Sequence, residues 1–210
     1  MKENDKFNVK DAVIEELADI IERRDNTEAG HSTRVKKAMT LFIEAVIANG
    51  LYKEQTASWN VKEIVVSSLL HDIGKGEIDD MILRKPGKLD DVEFNVVKRH
   101  TLLGGEIIKE IKTNIGEAAE CEFLNDASSI AMYHHEKWDG SGYPKGLVEE
   151  EIPLLARIMA IIDVYDALVS EKPYKKSLAH DEAIKIISKG KGTSFDPALT
   201  DIFLTIADKL

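Results

Sequence analysis

Residues 61–75 read VKEIVVSSLLHDIGK, and this stretch decides how the rest of the sequence is interpreted. Its apolar run predicts a buried helix: Ile64, Val65, Val66, Leu69 and Leu70. The run ends in the pair His71-Asp72. An ionised aspartate in such a place needs a partner, because burying an unpaired charge is prohibitively costly. A metal ion is one such partner.

Histidine and aspartate recur in similar apolar settings along the chain. One predicted helical stripe includes His100, and a second ends at His134. Asp163 lies in the apolar run LLARIMAIIDVYDAL, where a salt bridge to Arg157 or to a lysine is the alternative explanation. Five of the six histidines belong to this ordered set. The sequence therefore predicts a multinuclear metal site with these ligands: His31, His71, Asp72, His100, His134, His135 and Asp163.

Two adjacent pairs of ligands, His71-Asp72 and His134-His135, are expected on helices. Neighbours on a helix point about 100° apart, so each pair is expected to serve two metals lying side by side, with Asp72 bridging. Two metals about 3.5–4 Å apart can hold a phosphodiester and activate a water. The set thus predicts a metallohydrolase. Lys75 is expected to contact the phosphate, and a cation at a helix end is its alternative role.

The apolar spacing elsewhere also predicts helices. We expect an amphipathic helix before Arg24, followed by seven helices near 30–50, 61–74, 91–113, 117–136, 153–170, 180–189 and 197–209. We interpret residues 1–24 as an N-terminal lead or linker helix and residues 25–210 as one catalytic domain. Packing of the first helix into the core is an equal alternative.

Composition narrows the class of protein. A chain of 210 residues can bury one sizeable core. Its single cysteine precludes an intrachain disulfide and suits a reducing compartment. No apolar run approaches the roughly 20 residues that span a bilayer, and the N-terminus lacks the apolar core of a signal peptide. We therefore expect a cytoplasmic protein without membrane insertion.

The formal net charge of −10 argues against a surface for DNA or RNA. A small anionic ligand depends instead on a local basic cleft. The basic residues that flank the metal motifs are candidates for such a cleft. The alternative for each is a solvated surface position, which is favoured for Lys85, Lys88 and Lys176. The basic residues that flank the metal motifs are Lys75, Lys85, Lys88, Lys98, Arg99, Lys172, Lys175 and Lys176.

Six motifs together resemble the HD-GYP domain of the HD hydrolase superfamily: HDIGK (71–75), KPGKL (85–89), HTLLG (100–104), HHEKWDGSGYPKGL (134–147), DVYDALVSEKPYK (163–175) and FDP (195–197). The resemblance runs from about Arg24 to Phe203. It implies an all-α, single-domain bundle of about seven or eight helices. It also implies hydrolysis of cyclic di-GMP to linear pGpG at two or three metals, with further hydrolysis to GMP left open. Histidine and carboxylate ligands suit iron, manganese, zinc or nickel, and the resemblance favours iron or manganese.

The resemblance also suggests roles for single residues. Asp72 and Lys75 are expected to be catalytic, and Lys75, Lys172 and Lys175 to bind substrate. The triplet Gly142-Tyr143-Pro144 is expected first to shape a turn beside the cleft and second to dock a diguanylate cyclase domain.

Two departures from the family pattern qualify this reading. Lys172 stands where relatives usually have arginine, and lysine lacks the two-pronged fork that matches phosphate. Thr27 stands where relatives with three metals have glutamate, and Glu28 is one residue later. We therefore expect two metals. A non-catalytic adaptor that binds nucleotide or a cyclase domain, another cyclic dinucleotide as substrate, and a homodimer all stay open.

Overall fold

A computed structural model describes residues 8–25, 30–116, 121–171 and 177–210 of the chain. Over these ranges the chain is helical and has no β-strand, which confirms the predicted all-α fold. Three 3₁₀ helices cover Ile73–Glu77, Glu149–Glu151 and Ala207–Lys209. The α-helices are α1 Val9–Arg24, α2 His31–Asn49, α3 Lys53–Thr56, α4 Val61–Ser68, α5 Asp80–Leu83, α6 Asp91–Lys98, α7 His100–Ile115, α8 Glu122–Tyr133, α9 Leu154–Val169, α10 His180–Lys189 and α11 Pro197–Ile206.

The described ranges hold more helices than the sequence predicts. Helices α3 and α5 are single turns of four residues each, too short to leave a periodic pattern. The helix predicted over 91–113 is two helices that meet at Arg99. In an unbroken helix the carbonyl of Val97 would accept from the amide of Thr101, but here it faces Nδ1 of His100 at 2.7 Å. The break thus coincides with a candidate metal ligand.

Helix α4 is shorter than predicted. It ends at Ser68, and the amides of Leu69, Leu70 and His71 donate to carbonyls three residues back. These tight turns lead into the 3₁₀ helix Ile73–Glu77. The predicted buried run is confirmed, because its five apolar residues are each no more than 4% exposed. His71 and Asp72 therefore project from a tightly wound segment after the helix, which replaces the expected helix end.

Helix α9 lies at the centre of the core, where it packs against α2, α8, α10 and α11. It is apolar on nearly all sides because it is buried on nearly all sides. Phe42 of α2 and Phe203 of α11 meet edge to face beside it, with ring centroids 5.3 Å apart. No helix in the described part of the chain has both the length and the apolarity to cross a membrane.

Helix α1 packs against α2, α4 and the 3₁₀ helix Ile73–Glu77, and it buries Ile14 and Ala18. Its last residue, Arg24, donates from Nη1 to the carbonyl of Gly76 at 2.5 Å and from Nη2 to Asp80 at 2.8 Å. The end of α1 thus holds the segment that follows His71-Asp72. The division of the chain at residue 24 stays a prediction.

Gly74 tests this packing. A Cβ on Gly74 would lie 2.0 Å from the carbonyl oxygen of His100 and 2.5 Å from the amide nitrogen of Gly104, so backbone would have to move. We expect Gly74→Ala to lower the free energy of unfolding by about 1–3 kcal/mol, measured by urea denaturation. Gly105→Ala is the matched control, because the close approach of its Cβ, at 2.4 Å, is to the flexible Cε of Met132 and not to backbone. Equal losses in both variants would contradict this account.

Candidate metal centre

Three helical segments bring His31, His71 and Asp163 together. His31 opens α2, His71 follows α4, and Asp163 lies on α9. One potential ligand atom from each of the three lies within 4.8 Å of the others. The Nε2 atoms of His31 and His71 are 3.3 Å apart. We call these residues the first ligand group.

His100, His134 and His135 form the second ligand group, again with potential ligand atoms within 4.8 Å of one another. The Nε2 atoms of His100 and His134 are 3.5 Å apart. His134 and His135 thus lie in one group, whereas the sequence led us to expect them to serve two metals. The two rings lie side by side just after the end of α8 at Tyr133, with centroids 4.1 Å apart.

Backbone carbonyls fix how the buried imidazoles are protonated. Nδ1 of His71 lies 2.9 Å from the carbonyl of Ser68, and Nδ1 of His134 lies 3.0 Å from that of Ile130. A carbonyl oxygen only accepts, so each Nδ1 carries a proton and each neutral ring presents a lone pair at Nε2. The same holds for His100. The facing Nε2 atoms in each group therefore repel each other unless a cation lies between or beside them.

Asp72 lies between the two ligand groups. Its Oδ2 is 3.3 Å from Nε2 of His71, and its Oδ1 is 3.4 Å from Nε2 of His100. Oδ1 is buried and has no hydrogen-bond partner among the described residues. Buried polar atoms without a hydrogen-bond partner are rare in folded proteins and call for an explanation. The donor set and this orphaned oxygen fit the binding of divalent cations.

The ammonium group of Lys75 neutralises part of the negative charge of Asp72. Its Nζ lies 2.7 Å from Oδ2 of Asp72 and 2.5 Å from Oδ2 of Asp25, which caps the end of α1. Burial lowers the pKa of Lys75, but the two carboxylates outweigh it and raise that pKa. Burial likewise raises the pKa of Asp72, but Lys75 and His71 hold it well below its usual value. Asp25 carries no motif signal in the sequence.

Most of the imidazoles are neutral. Burial lowers the pKa of His134 to about 3 and that of His135 well below its usual value. Burial also lowers the pKa of His100. At His71 burial acts in the same direction, but the carboxylate of Asp72 outweighs it and raises the pKa. A metal ion and a proton thus compete for His71, which makes metal affinity dependent on pH.

Asp166 supports the first ligand group from outside. Its Oδ2 accepts from Nδ1 of His31 at 2.7 Å, and its Oδ1 accepts from Nε of Arg34 at 2.6 Å. Burial raises the pKa of Asp166, but these hydrogen bonds dominate and lower it to about 2. Sequence analysis missed this residue. Its signal is a second aspartate three positions after Asp163, on the same face of an apolar helix.

Arg157 does not pair with Asp163. Its Nη1 donates to Oδ2 of Asp196 at 2.6 Å, and the hydroxyl of Tyr52 donates to the same oxygen at 2.9 Å. Arg157 and Asp196 are both buried. Arg157 therefore forms its salt bridge with Asp196, and not with Asp163 as the alternative explanation required.

The loop after His135 closes over the second ligand group. Glu136 is buried and accepts from three successive amides of the loop, at Lys145, Gly146 and Leu147. A Cβ on Gly142 would lie 2.3 Å from the amide nitrogen of Lys137. The close approach of these two segments of the loop therefore requires glycine. The ring of Tyr143, which precedes Pro144, stacks on His135 with centroids 4.8 Å apart. Tyr143 thus lies beside the ligands.

A groove of about 410 Å³ opens from this centre. Lys75, His100 and His135 line its inner end, and Arg84 and Phe94 are among its other lining residues. Its size falls in the usual range of small-molecule sites. Some residues predicted from the resemblance lie outside the described ranges: Thr27, Glu28, Lys172 and Lys175.

Asp166 provides a test of the outer hydrogen bonds. We expect Asp166→Asn to weaken metal binding roughly 10–100-fold, because the amide no longer offers the charge that orients His31 and raises its basicity. Affinity would be measured by competition with a chromophoric chelator. Asp201→Asn is the control, since Asp201 is an exposed aspartate of α11 whose ion-pair partner among the described residues is Lys191. Equal affinities in the two variants would refute the role of Asp166.

Comparison with known proteins agrees with this geometry. The chain is 39% identical over 207 residues to a cyclic di-GMP phosphodiesterase of Vibrio cholerae serotype O1, which covers 99% of this chain and 42% of that protein. It is 35% identical over 192 residues to the 3'3'-cGAMP-specific phosphodiesterase 2 of the same organism, which covers 91% of this chain and 34% of that protein. The chain thus spans less than half the length of these two curated relatives.

A solved structure supports the fold. The chain superposes on an HDG"Y"P protein from Bdellovibrio bacteriovorus with a TM-score of 0.58 and 18% sequence identity, covering 87% of this chain and 54% of that one. The family model described as HD domain matches residues 15–199, a span that includes both ligand groups and Asp72. The resemblance in the motifs is confirmed, and the chain belongs to the HD domain family.

Proposed function

We propose that this chain is a metal-dependent phosphodiesterase that opens cyclic di-GMP to linear pGpG, and that it binds two divalent ions, iron or manganese. One observation carries the proposal. Two pairs of imidazole lone pairs face each other at 3.3 Å and 3.5 Å on either side of a carboxylate with a buried, unpartnered oxygen.

The two ligand groups divide the metals between them. His31, His71 and Asp163 would hold one ion, and His100, His134 and His135 the other. Asp72 is in reach of both groups through its two oxygens and would be shared. When bound, a pair of divalent ions activates a water and neutralises charge on a phosphodiester.

The remaining polar groups suit an anionic substrate. The ammonium of Lys75 has three N–H donors, of which two meet the carboxylates of Asp72 and Asp25. The third is left to donate to a phosphate oxygen. Arg84 and Lys85 also line the groove, where Lys85 is paired with Glu93. Lys172 and Lys175 are proposed to bind the substrate further out.

The relatives support a cyclic dinucleotide as substrate. One is named for cyclic di-GMP and another for 3'3'-cGAMP. Cyclic di-GMP is favoured because it is named for a relative with higher identity over more of this chain. Tyr143 stacks on a candidate ligand and lines the groove, which supports a place in the substrate site and leaves docking of a cyclase domain as the second reading.

Asp72→Asn tests the shared carboxylate. The amide keeps the shape of the side chain but not its charge, so we expect metal content to fall from two per chain to one or fewer and hydrolysis of cyclic di-GMP to be lost. Elemental analysis of chelator-free protein and chromatography of the products measure both. Asp201→Asn again serves as the control.

The outcome would be decisive in either direction. A wild-type stoichiometry near one per chain, unchanged after supplementing with manganese, would refute the two-metal centre. Metal-loaded protein that hydrolyses neither cyclic di-GMP nor 3'3'-cGAMP would refute the proposed activity.

Lys75→Met tests whether the charge of Lys75 acts on the phosphate and not on metal binding. We expect turnover to fall roughly 10²–10³-fold, by analogy with loss of one donor to a transition-state oxygen. Metal content should stay near that of the wild type, because the ammonium is not a ligand. Lys109→Met, at an exposed lysine of α7, is the control. Unchanged turnover in Lys75→Met would exclude Lys75 from contact with the phosphate.

A further inference from the structure

An aromatic side chain of α6 lines the groove, and a cationic side chain of the same helix lies over the rings of two lining residues. Metal binding requires neither of them. Phe94 and Lys98 are four residues apart and so lie on the same face of the helix. Phe94 lines the groove, yet its exposed fraction is 45%. A large aromatic side chain is thus held at the groove with much of its surface uncovered.

Lys98 lies over two aromatic rings at once. Its Nζ is 4.8 Å from the ring centroid of Phe94 and 5.4 Å from that of Tyr143. Its other contact is a hydrogen bond of 3.3 Å to Asn95. Among the residues that the structure describes, no carboxylate lies within salt-bridge distance of Lys98. The ammonium group therefore keeps donors for a ligand.

Ring contacts connect Phe94 and Lys98 to the metal centre. Tyr143 stacks on His135 of the second ligand group, with centroids 4.8 Å apart. The order of contacts from the metal centre outward is therefore His135, Tyr143, Lys98 and Phe94. The lining of the groove includes the first, second and last of these residues. A molecule whose phosphate is at the metals would extend along this row.

We propose that Phe94 and Lys98 bind a guanine base of the substrate and select it over adenine, an inference that rests on the proposed function. The face of the base stacks on Phe94, which has free surface for it. Aromatic stacking on bases is a common means of holding nucleotides and tolerates any base. Selection between purines therefore falls to Lys98.

The chemistry of the base edges gives Lys98 this preference. Guanine presents two acceptors, N7 and O6, on the edge where adenine presents one acceptor, N7, and the N6 amino donor. An ammonium group has donors and no acceptor. It can donate to both guanine atoms but meets a like donor at N6 of adenine. Lys98 thus favours cyclic di-GMP over 3'3'-cGAMP, and both over cyclic di-AMP.

The experiment measures KM and kcat of the manganese-loaded chain with cyclic di-GMP, 3'3'-cGAMP and cyclic di-AMP, and calorimetric binding of GMP and AMP to the metal-free chain. We expect Phe94→Leu to weaken GMP and AMP binding alike, roughly tenfold to hundredfold, and Phe94→Trp to restore it. We expect Lys98→Met to reduce the preference for guanine roughly fivefold to hundredfold. In each variant kcat should change less than KM.

Two exposed side chains outside the groove lining serve as matched controls. Val92→Ala removes an apolar side chain of α6 that is 74% exposed and does not line the groove. Lys109→Met removes an exposed lysine of α7. Both should match the wild type in KM and in base preference.

The results separate this inference from the proposed function. If wild-type protein hydrolyses a cyclic dinucleotide but the Phe94 and Lys98 variants match the controls, the base site is refuted and the activity stands. Equal wild-type binding of GMP and AMP would refute guanine selection by Lys98. If wild-type protein neither hydrolyses nor binds any of these nucleotides, the proposed function fails and the base site with it.

Discussion

The Nε2 atoms of four histidines meet in two facing pairs, and the carboxylate of Asp72 lies between them. The opposite nitrogen of each of these rings already donates a proton, to a backbone carbonyl in three cases and to Asp166 in the case of His31. Rotating the rings away would break those hydrogen bonds. The rings therefore stay aimed at one another, and a cation held by each group would turn the repulsion of their lone pairs into binding.

Much of the surrounding structure maintains this arrangement. Gly74 lets the segment after Asp72 lie directly against the backbone of α7, so that His71, Asp72 and His100 converge. Arg24 and Asp25, at the end of α1, hold the same segment through the carbonyl of Gly76 and through Lys75. The first helix is thus in contact with the residues that carry the proposed chemistry. A displacement of α1 would alter the contact between Asp25 and Lys75.

The sequence predicts the helical fold and the seven clustered residues because both leave local patterns. Apolar spacing marks the long helices, and a histidine or aspartate within an apolar run stands out. The turns that place these side chains have weaker signals in the sequence. The end of α4 at Ser68, the break at Arg99 and the end of α8 at Tyr133 depend on hydrogen bonds that no periodicity records. The grouping of His134 with His135 is likewise not recorded by sequence spacing. Asp25 and Asp166 act through partners distant in sequence, so their roles are not visible from local sequence patterns.

Anomalous diffraction from crystals of the manganese-loaded chain tests the central claim most directly. The account predicts two peaks per chain, one within coordination distance of His31, His71 and Asp163 and the other within coordination distance of His100, His134 and His135, with Asp72 bound to both. A single peak, a third peak with Glu28 as a direct ligand, or two peaks that do not share Asp72 would contradict it.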